Sequence, residues 1–402
     1  MLKAGFARRC ITPGRAMTMA GFDRRTLPAE GTLDELYVSV LALQQGDATP
    51  FVLCVFDLLG TDRTLCEKVH GELSLPAERV WICATHTHSA PRGAFSGGES
   101  QDDAYISLLT KNCKAAVLAA LEDLSPAAAR WGEGAIEGVA SLRDVPREQA
   151  AYRMPLLALS LVRKNDTVRW GRFQCHPTVL DERSRMYSRD LVGLAGAEGT
   201  VLCNGACADL STRFTRRESS PEELLRLGER LQAGFSAVEC RAEPRFGSVI
   251  STAAQTLTLP YGSAVRGEER VRLLEDLRLQ AETCSDQAAL RELDACIAVL
   301  ERGERVLPRT RTVTVAACDL GTRLLLALPF EVAQEDGARL EREAAALCGK
   351  PAHLLCYCGG YDGYLPHETT GINYQDLATG YPPEARSMIW NGLLDCAAKA
   401  VK

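Results

Sequence analysis

The sequence lacks any long uninterrupted apolar run. No stretch of its 402 residues approaches the roughly 18 consecutive apolar residues of a membrane-spanning helix, so we expect no transmembrane segment. The first residues, MLKAGFARRCITPGR, contain no apolar segment followed by a small-residue cleavage site, which argues against a standard secretory signal. An excess of positive charge is also missing. The formal net charge of −6 argues against nucleic acid as a partner.

The sixteen cysteines are scattered and show no disulfide framework. Several lie inside apolar runs such as VLCVF and VWICAT, where a reduced cysteine acts as a small hydrophobic residue. The pairs Cys203/Cys207 and Cys356/Cys358 lack the partner spacing of a zinc ribbon or knuckle. We therefore expect buried free thiols and a cytoplasmic protein. A homo-oligomer is compatible with this sequence.

Short apolar strands alternate with amphipathic helices along the chain. FVLCVFDLLG is a continuous apolar run, residues 62–73 have helical spacing, and ERVWICATHTH begins with another apolar strand. Strand, helix and strand joined by short links are typical of an α/β fold. Residues 102–123 and 221–239 add further helices.

Residues 264–304 form the most charged segment of the chain. Their pattern predicts two helices with charged outer faces, an inserted helical hairpin at about 263–306. We find no linker, low-complexity tract or internal repeat. The sequence thus predicts one large α/β domain, residues 1–402, with mixed β-sheets and flanking helices.

Three of the six histidines follow predicted strands. His86 and His88 come after VWICAT, and His176 comes after VRWGRFQC. Ligand sites in α/β sheets form at such strand ends. Two histidines at i and i+2 of an extended segment point the same way and can converge on one metal ion. The alternative is a polar strand end with hydrogen-bonded histidines, and the third histidine favours the metal.

The segment THTHSAP, residues 85–91, resembles the THTHSGP signature of the neutral, non-lysosomal ceramidases. Four further segments resemble that family in the same order: CHPTVL (175–180), CADLSTR (207–213), ALPFEVAQEDGARL (327–340) and YDGYLPHETTGINYQDLATGYPPE (361–384). The resemblance spans nearly the whole chain.

The resemblance implies a zinc site with His86, His176, Glu331 and Tyr364 as ligands and His88 beside it. Two imidazoles, a carboxylate and a phenolate form a nitrogen- and oxygen-rich set that suits zinc and leaves room for water. Glu331 follows the apolar run LLLALPF, at a predicted strand end. Taken alone, Glu331 would be interpreted as an acid at a helix N-terminus, stabilised by the helix dipole, and only the whole set of residues favours a ligand.

Two further residues correspond to groups that stabilise negative charge in the family. Tyr381 is the match for its second active-site tyrosine, and the inserted segment TTGINYQDLAT leaves Tyr374 as a competitor. Arg143, in SLRDVP, resembles an arginine that would stabilise an oxyanion or hold a carboxylate. An exposed surface arginine is the alternative.

Asp209 and Ser211 lie among small residues in CADLSTR. The resemblance implies that Ser211 contacts the substrate and that Asp209 supports the loop, whereas a helix cap is the alternative for Ser211. Ala208 and Thr212 replace the family's glycine and proline, so we expect a different loop shape. Asp57, at the end of FVLCVFD, is a candidate substrate-binding carboxylate.

By resemblance, the reaction is the hydrolysis of an amide bond in a linear N-acyl compound by zinc-activated water, with His88 moving a proton. An esterase or lactonase on the same scaffold and a non-catalytic metal-binding relative are the alternatives. Residues 382–402 suffice for one helix, so we expect the family's C-terminal immunoglobulin-like domain to be absent. The expected substrate is a small-molecule or lipid-like N-acyl compound, more soluble than ceramide.

Overall fold

The structure is a computed structural model that describes residues 1–22, 24–94, 102–262, 265, 267–301, 309–366 and 373–402. Within these residues the strands, in chain order, are β1 (Leu2–Cys10), β2 (Gly31–Thr32), β3 (Tyr37–Gln45), β4 (Phe51–Phe56), β5 (Val80–Ala84), β6 (Ser125–Pro126), β7 (Ala128–Leu142), β8 (Ala151–Val162), β9 (Thr167–Phe173), β10 (Met186–Tyr187), β11 (Thr200–Asn204), β12 (Leu210–Ser211), β13 (Arg241–Ala242), β14 (Ser251–Pro260), β15 (Thr310–Asp319), β16 (Leu324–Ala327) and β17 (Ala352–Leu355). The α-helices are α1 (Arg63–Gly71), α2 (Asp103–Glu122), α3 (Val192–Ala195), α4 (Pro221–Ser236), α5 (Gly267–Thr283), α6 (Gln287–Glu301), α7 (Gln334–Cys348), α8 (Tyr374–Ala378) and α9 (Pro383–Ala400).

Three larger sheets organise the described part of the chain. Their strand orders are β5-β4-β3-β1-β6, then β11-β9-β8-β7-β12 with β13 beside β7, and β14-β15-β16-β17. Most neighbouring strands are antiparallel, but each sheet also contains one parallel pair: β4 with β5, β9 with β11, and β16 with β17. The strands β2 and β10 form a small parallel ribbon.

The first sheet shows why the apolar run FVLCVF becomes a strand. All six residues of β4 are buried, because one face of the sheet packs against α1 and α2 and the other against the remaining sheets. Asp62 caps α1 by accepting a hydrogen bond from the amide of Leu65. This helix joins β4 to the parallel β5, so the predicted strand, helix and strand are confirmed.

The central core lies between the three sheets. Trp131 stacks on Trp170 and Phe246 there, among side chains contributed by all three sheets. Helices α3 and α4 cover the second sheet, and α7 and α9 cover the third. The predicted α/β class with mixed sheets and flanking helices is therefore confirmed.

The predicted charged hairpin consists of α5 and α6, inserted between β14 and β15. Its inner side is apolar, since Leu277, Cys296 and Leu300 pack with Tyr374 and Leu377 of α8. The hairpin thus covers α8 as well as presenting a charged outer surface. Among the described helices, none combines the length and apolar character required to cross a membrane.

Candidate metal centre

The site forms where the parallel strand pairs of the three sheets end. His86 lies two residues beyond β5, His176 three beyond β9, and Glu331 four beyond β16. Asn204, the last residue of β11, joins the ends of β5 and β9: its side-chain amide donates to the carbonyls of Thr85 and Cys175 at 3.3 and 2.9 Å. The sequence analysis did not identify this role of Asn204. The only indication in the sequence is that a side-chain amide stands at the end of a strand.

His86, His88 and His176 form a cluster that could hold a metal ion. One ring nitrogen of each lies within 4.8 Å of the others, and the Nε2 atoms of His86 and His88 are 3.4 Å apart. His86 and His176 are each 1% exposed. The three histidines that the sequence singled out thus come together in space.

Backbone carbonyls fix the tautomers of the two most buried histidines. Nδ1 of His86 lies 2.7 Å from the carbonyl oxygen of Leu59. Nδ1 of His176 lies 2.8 Å from that of Cys207 and 2.9 Å from that of Leu210. A carbonyl only accepts, so each Nδ1 carries the proton and each Nε2 presents a lone pair to the interior.

Glu331 faces both of these lone pairs. Its Oε2 lies 3.0 Å from Nε2 of His176 and 3.6 Å from Nε2 of His86. Burial lowers the pKa of His86 to about 3. Burial disfavours a charge on Glu331, but contacts with the two histidines and the charge of Arg143 outweigh it and lower its pKa to about 2. Neutral imidazoles would not stabilise this carboxylate, so its low pKa requires a positive charge, either a proton or a metal ion, between it and the two Nε2 atoms. Two imidazoles and a carboxylate that converge in this way form a donor set that fits a metal ion.

Tyr364 pairs with Glu331 through the backbone. Arg143 Nη2 donates to the Tyr364 hydroxyl oxygen at 3.0 Å. Burial raises the pKa of Tyr364, and the guanidinium of Arg143 acts in the opposite direction. On the other side, Tyr361 donates to Oε1 of Glu331 at 2.6 Å. Arg143 is therefore directed into the site, and Tyr361 is a further residue with a role that the sequence did not reveal.

The N-terminal segment encloses His88. The ring of Phe22 meets its imidazole edge-on, with 5.0 Å between centroids, and Arg25 donates to its backbone carbonyl. A Cβ atom on Gly21 would approach Cγ of His88 to 2.5 Å, so only glycine fits there. Nδ1 of His88 is buried without a hydrogen-bond partner among the described residues.

Asp209, in the loop after β11, and Ser211, at the end of β12, lie beside the site. Asp209 Oδ1 accepts from the amide of Gln334, the first residue of α7, at 2.8 Å. Its backbone carbonyl accepts from the amide of Arg143 at 2.9 Å, and burial raises its pKa to about 6. Ser211 pairs with His176 through the backbone, and its Oγ accepts from the amide of Arg213 at 3.2 Å.

Tyr374 and Tyr381 occupy different surroundings. The ring of Tyr374 meets that of Tyr364 at 5.8 Å between centroids. Tyr381 is fully buried against Tyr261 and donates to Oδ1 of Asp362 at 2.8 Å. Within the described residues, its hydroxyl makes no hydrogen bond to the histidine cluster.

Asp57 also faces away from the histidine cluster in the described structure. Its Oδ2 accepts from the amide of Tyr37 at 2.9 Å, and it lines a small cavity with Arg8 and Arg189. Burial raises the pKa of Asp57 to about 6, against the pull of both arginines. His367, which lies in the tyrosine-rich segment, falls outside the described residues.

Comparison with known proteins gives matches among solved structures. Neutral ceramidase from Pseudomonas aeruginosa superposes with a TM-score of 0.77 at 17% identity, over 99% of this chain and 74% of that one. A ceramidase complexed with C2 gives 0.76 at 17% identity, over 99% and 75%. No family model and no curated protein matches the chain. At this identity the comparison establishes the fold, and at that level it confirms the resemblance seen in the sequence.

Proposed function

We propose that this chain is a zinc-dependent hydrolase that cleaves the amide bond of a linear N-acyl compound. One observation carries the proposal: the buried Nε2 atoms of His86 and His176 converge on the buried carboxylate of Glu331, at 3.6 and 3.0 Å, and this set of donors fits a bound cation. The fold that the chain shares with ceramidases supports amide hydrolysis as the reaction.

His86, His176, Glu331 and Tyr364 are the proposed ligands. Their imidazole nitrogens, carboxylate and phenol oxygen suit zinc better than magnesium or calcium, which prefer oxygen ligands alone. When bound, zinc would polarise the amide carbonyl and lower the pKa of a coordinated water towards 7.

His88 and Arg143 are the proposed groups for proton transfer and charge stabilisation. Burial lowers the pKa of His88 well below its usual value, so its ring is neutral at neutral pH. Its Nε2 lies 3.4 Å from Nε2 of His86, a position from which it would take up a proton transiently and pass it to the leaving amine. Arg143 already donates to the Tyr364 oxygen, and its remaining N–H groups can stabilise negative charge on the substrate oxygen.

We assign the second active-site tyrosine to Tyr374, because its ring contacts Tyr364 whereas the Tyr381 hydroxyl is engaged by Asp362. Ser211 is the proposed substrate contact, since its Oγ accepts from Arg213 and still has a proton to donate. Asp209 would act by holding the Arg143 segment in place.

The side of the site next to α8 favours a substrate with a polar head group. Glu292 Oε1 accepts from the amide of Tyr374 at 3.2 Å, and its Oε2 lies 3.8 Å from Nη1 of Arg213. Gln375 donates to Asp144 at 2.5 Å. Charged and amide groups are costly to desolvate against a hydrocarbon chain, so we propose an N-acyl compound that is more polar than ceramide.

All sixteen cysteines are free thiols in the structure. This supports a reducing compartment, and we propose the cytoplasm. We also propose that residues 1–402 act as one catalytic domain, because the similarity to the ceramidase covers 99% of the chain.

Hydrolysis of matched substrates tests this function. We expect turnover of N-acyl amines that is lost on treatment with a chelator and restored by zinc, with about one zinc per chain in the purified protein. Faster hydrolysis of esters or lactones with the same acyl groups would instead indicate the esterase alternative. Zinc binding without turnover of either series would indicate a non-catalytic relative.

A further inference from the structure

The side chain of Tyr357 contacts one of the three most buried proposed ligands, His86, and is linked to the other two through one residue each. This residue is fully buried, and its phenol ring stacks on the imidazole of His86 with 4.1 Å between centroids and 21° between planes. The hydrogen bond to Leu59 holds one atom of that imidazole, which leaves the ring free to tilt about it. A parallel ring against one face removes this freedom.

Tyr357 also reaches His176 through Cys207. The Tyr357 hydroxyl and the Cys207 thiol share a hydrogen bond of 3.1 Å. The backbone carbonyl of Cys207 accepts the Nδ1 proton of His176 at 2.8 Å. The residue that orients His176 is therefore itself held by Tyr357.

The third connection runs through Tyr361 to Glu331. The rings of Tyr357 and Tyr361 lie nearly parallel, at 21°, with 6.3 Å between centroids. Tyr361 donates to Oε1 of Glu331 at 2.6 Å. Two imidazoles and one carboxylate are thus supported, directly or through one residue, by a single phenol.

The backbone around this phenol is unusual. Tyr357 and His86 both have positive φ, at 56° and 68°, a left-handed conformation that is uncommon for residues with a side chain. The amide of Ala84, two residues before His86, donates to the Tyr357 carbonyl at 3.1 Å. Such strain persists only where surrounding contacts fix it, and it concentrates at functional sites.

We infer that Tyr357 is a positioning residue of the metal centre, which sets the ring plane of His86 and, through Cys207 and Tyr361, the placement of His176 and Glu331. The inference rests on the proposed function, in that it assigns these three residues to the metal. Tyr357 itself would contact neither the metal nor the substrate.

Three substitutions in the full-length protein test this role. Tyr357→Leu removes the ring, Tyr357→Phe keeps the ring and removes the hydroxyl, and Cys207→Ala removes the thiol. Tyr105→Leu is the matched control, since Tyr105 is a buried tyrosine of another core cluster whose hydroxyl also donates within the core. The measurements are zinc affinity by chelator competition, the visible spectrum of the cobalt-substituted protein, and thermal unfolding of the metal-free form.

We expect Tyr357→Leu to weaken zinc binding by roughly 10- to 100-fold, as loss of a supporting contact to a metal ligand typically does, and to alter the cobalt spectrum. The zinc affinities of Tyr357→Phe and Cys207→Ala should lie between those of Tyr357→Leu and the wild type. Tyr105→Leu should keep the wild-type zinc affinity however much it destabilises the fold. If Tyr357→Leu does not fold, Tyr357→Asn replaces it, because asparagine tolerates positive φ.

Wild-type zinc affinity and an unchanged cobalt spectrum in the variant without the ring would overturn the inference. An equal loss of zinc affinity in Tyr105→Leu would also overturn it, because the loss would then be explained by a general decrease in the stability of the fold. A wild-type protein that binds zinc but cleaves no amide would refute the proposed reaction alone. A wild-type protein that binds no transition metal would refute both.

Discussion

The strand ends that carry the histidine cluster and the helical cover formed by α6 and α8 are built in different ways. At the strand ends, backbone carbonyls fix the imidazoles of His86 and His176, and both side chains are 1% exposed. At the edge of the cover, Glu292 of α6 approaches Arg213, which follows β12, with side chains 30% and 16% exposed. The first region is held by the backbone and the second largely by side chains.

This difference implies that the reaction and the choice of substrate depend on different parts of the molecule. A carbonyl that orients one of these imidazoles cannot change without moving a strand, so the geometry of the proposed metal site is coupled to the fold. A partly exposed ion pair contributes about 0–1 kcal/mol, so the cover can change its side chains at little cost in stability. We therefore expect substitutions at the strand ends to abolish activity and substitutions in the cover, apart from Tyr374, to change substrate preference.

The largest effect is expected for His176→Ala. It removes a ligand and leaves Glu331 facing an empty position, so metal affinity should fall by more than the roughly 10- to 100-fold typical of a lost supporting contact. Zinc content by elemental analysis and the rate of amide hydrolysis should both fall to background. His70→Ala, which removes a histidine of α1 outside the cluster, should keep both. Retained turnover in His176→Ala would show that the ligand assignment is wrong.

Arg143→Ala should have the second largest effect. Loss of one donor to a developing oxyanion typically costs about 100- to 1000-fold in kcat. The rate is measured with zinc in excess, because Arg143 also supports the proposed ligand Tyr364 and its removal should weaken zinc binding. Arg143→Lys should be intermediate, because lysine keeps the charge without the planar fork.

Arg311→Ala is the control for this loss. Arg311 pairs with Asp362 next to Tyr381 and is 44% exposed, so its removal should leave kcat close to that of the wild type. An equal loss in both variants would argue against a special role for Arg143.

Glu292→Gln should act on the cover alone. We expect KM for substrates with a polar head group to rise roughly fivefold, the equivalent of about 1 kcal/mol for one altered hydrogen bond, with kcat and zinc content unchanged. Glu301→Gln is the matched control on the same helix, because Glu301 pairs only with exposed Arg278 among the described contacts. Equal KM values for all three proteins would remove the cover from substrate selection.

Asp57→Asn should affect the pH dependence of stability more than activity. Because burial raises the pKa of Asp57 to about 6, the folded protein binds this proton more tightly than the unfolded chain. The resulting stabilisation is complete below about pH 4 and is lost as the pH rises through about 6.

An amide at this position does not titrate, so the free energy of unfolding of Asp57→Asn relative to wild type should rise by up to about 3 kcal/mol between pH 4 and pH 7. Urea unfolding at both pH values measures this, with exposed Asp47→Asn as control. A flat difference would contradict the burial of a titrating carboxyl. A large rise in KM would instead place Asp57 against the substrate.

The sequence predicted the strand-helix alternation and singled out the three histidines that lie together in the structure, because strand ends in α/β folds are where ligand sites form. It could not predict how the ligands are supported. The carbonyls of Leu59 and Cys207 come from loops whose path depends on tertiary packing. Every residue has a backbone carbonyl, so the residue type does not indicate which carbonyl orients a ligand.

The roles of the individual tyrosines were equally hard to predict from the sequence. Tyr357, Tyr361 and Tyr364 lie within eight positions of each other, yet one stacks on His86, one bonds to Glu331 and one meets Arg143. The positive φ of Tyr357 breaks the simple alternation of an extended chain, so spacing alone could not separate these roles. The charged pattern of the hairpin likewise predicted its outer faces but gave no indication that its inner side packs on α8.

The insertion of the α5–α6 hairpin has a consequence for engineering. Pro260 and Thr310 are register partners on β14 and β15, so the hairpin leaves and rejoins the sheet at a single point. Because its two ends are adjacent, the hairpin could be exchanged for another pair of helices, or shortened to a turn, while the strand register is retained. Libraries built at this junction would sample new specificities without recoding the residues that perform the chemistry.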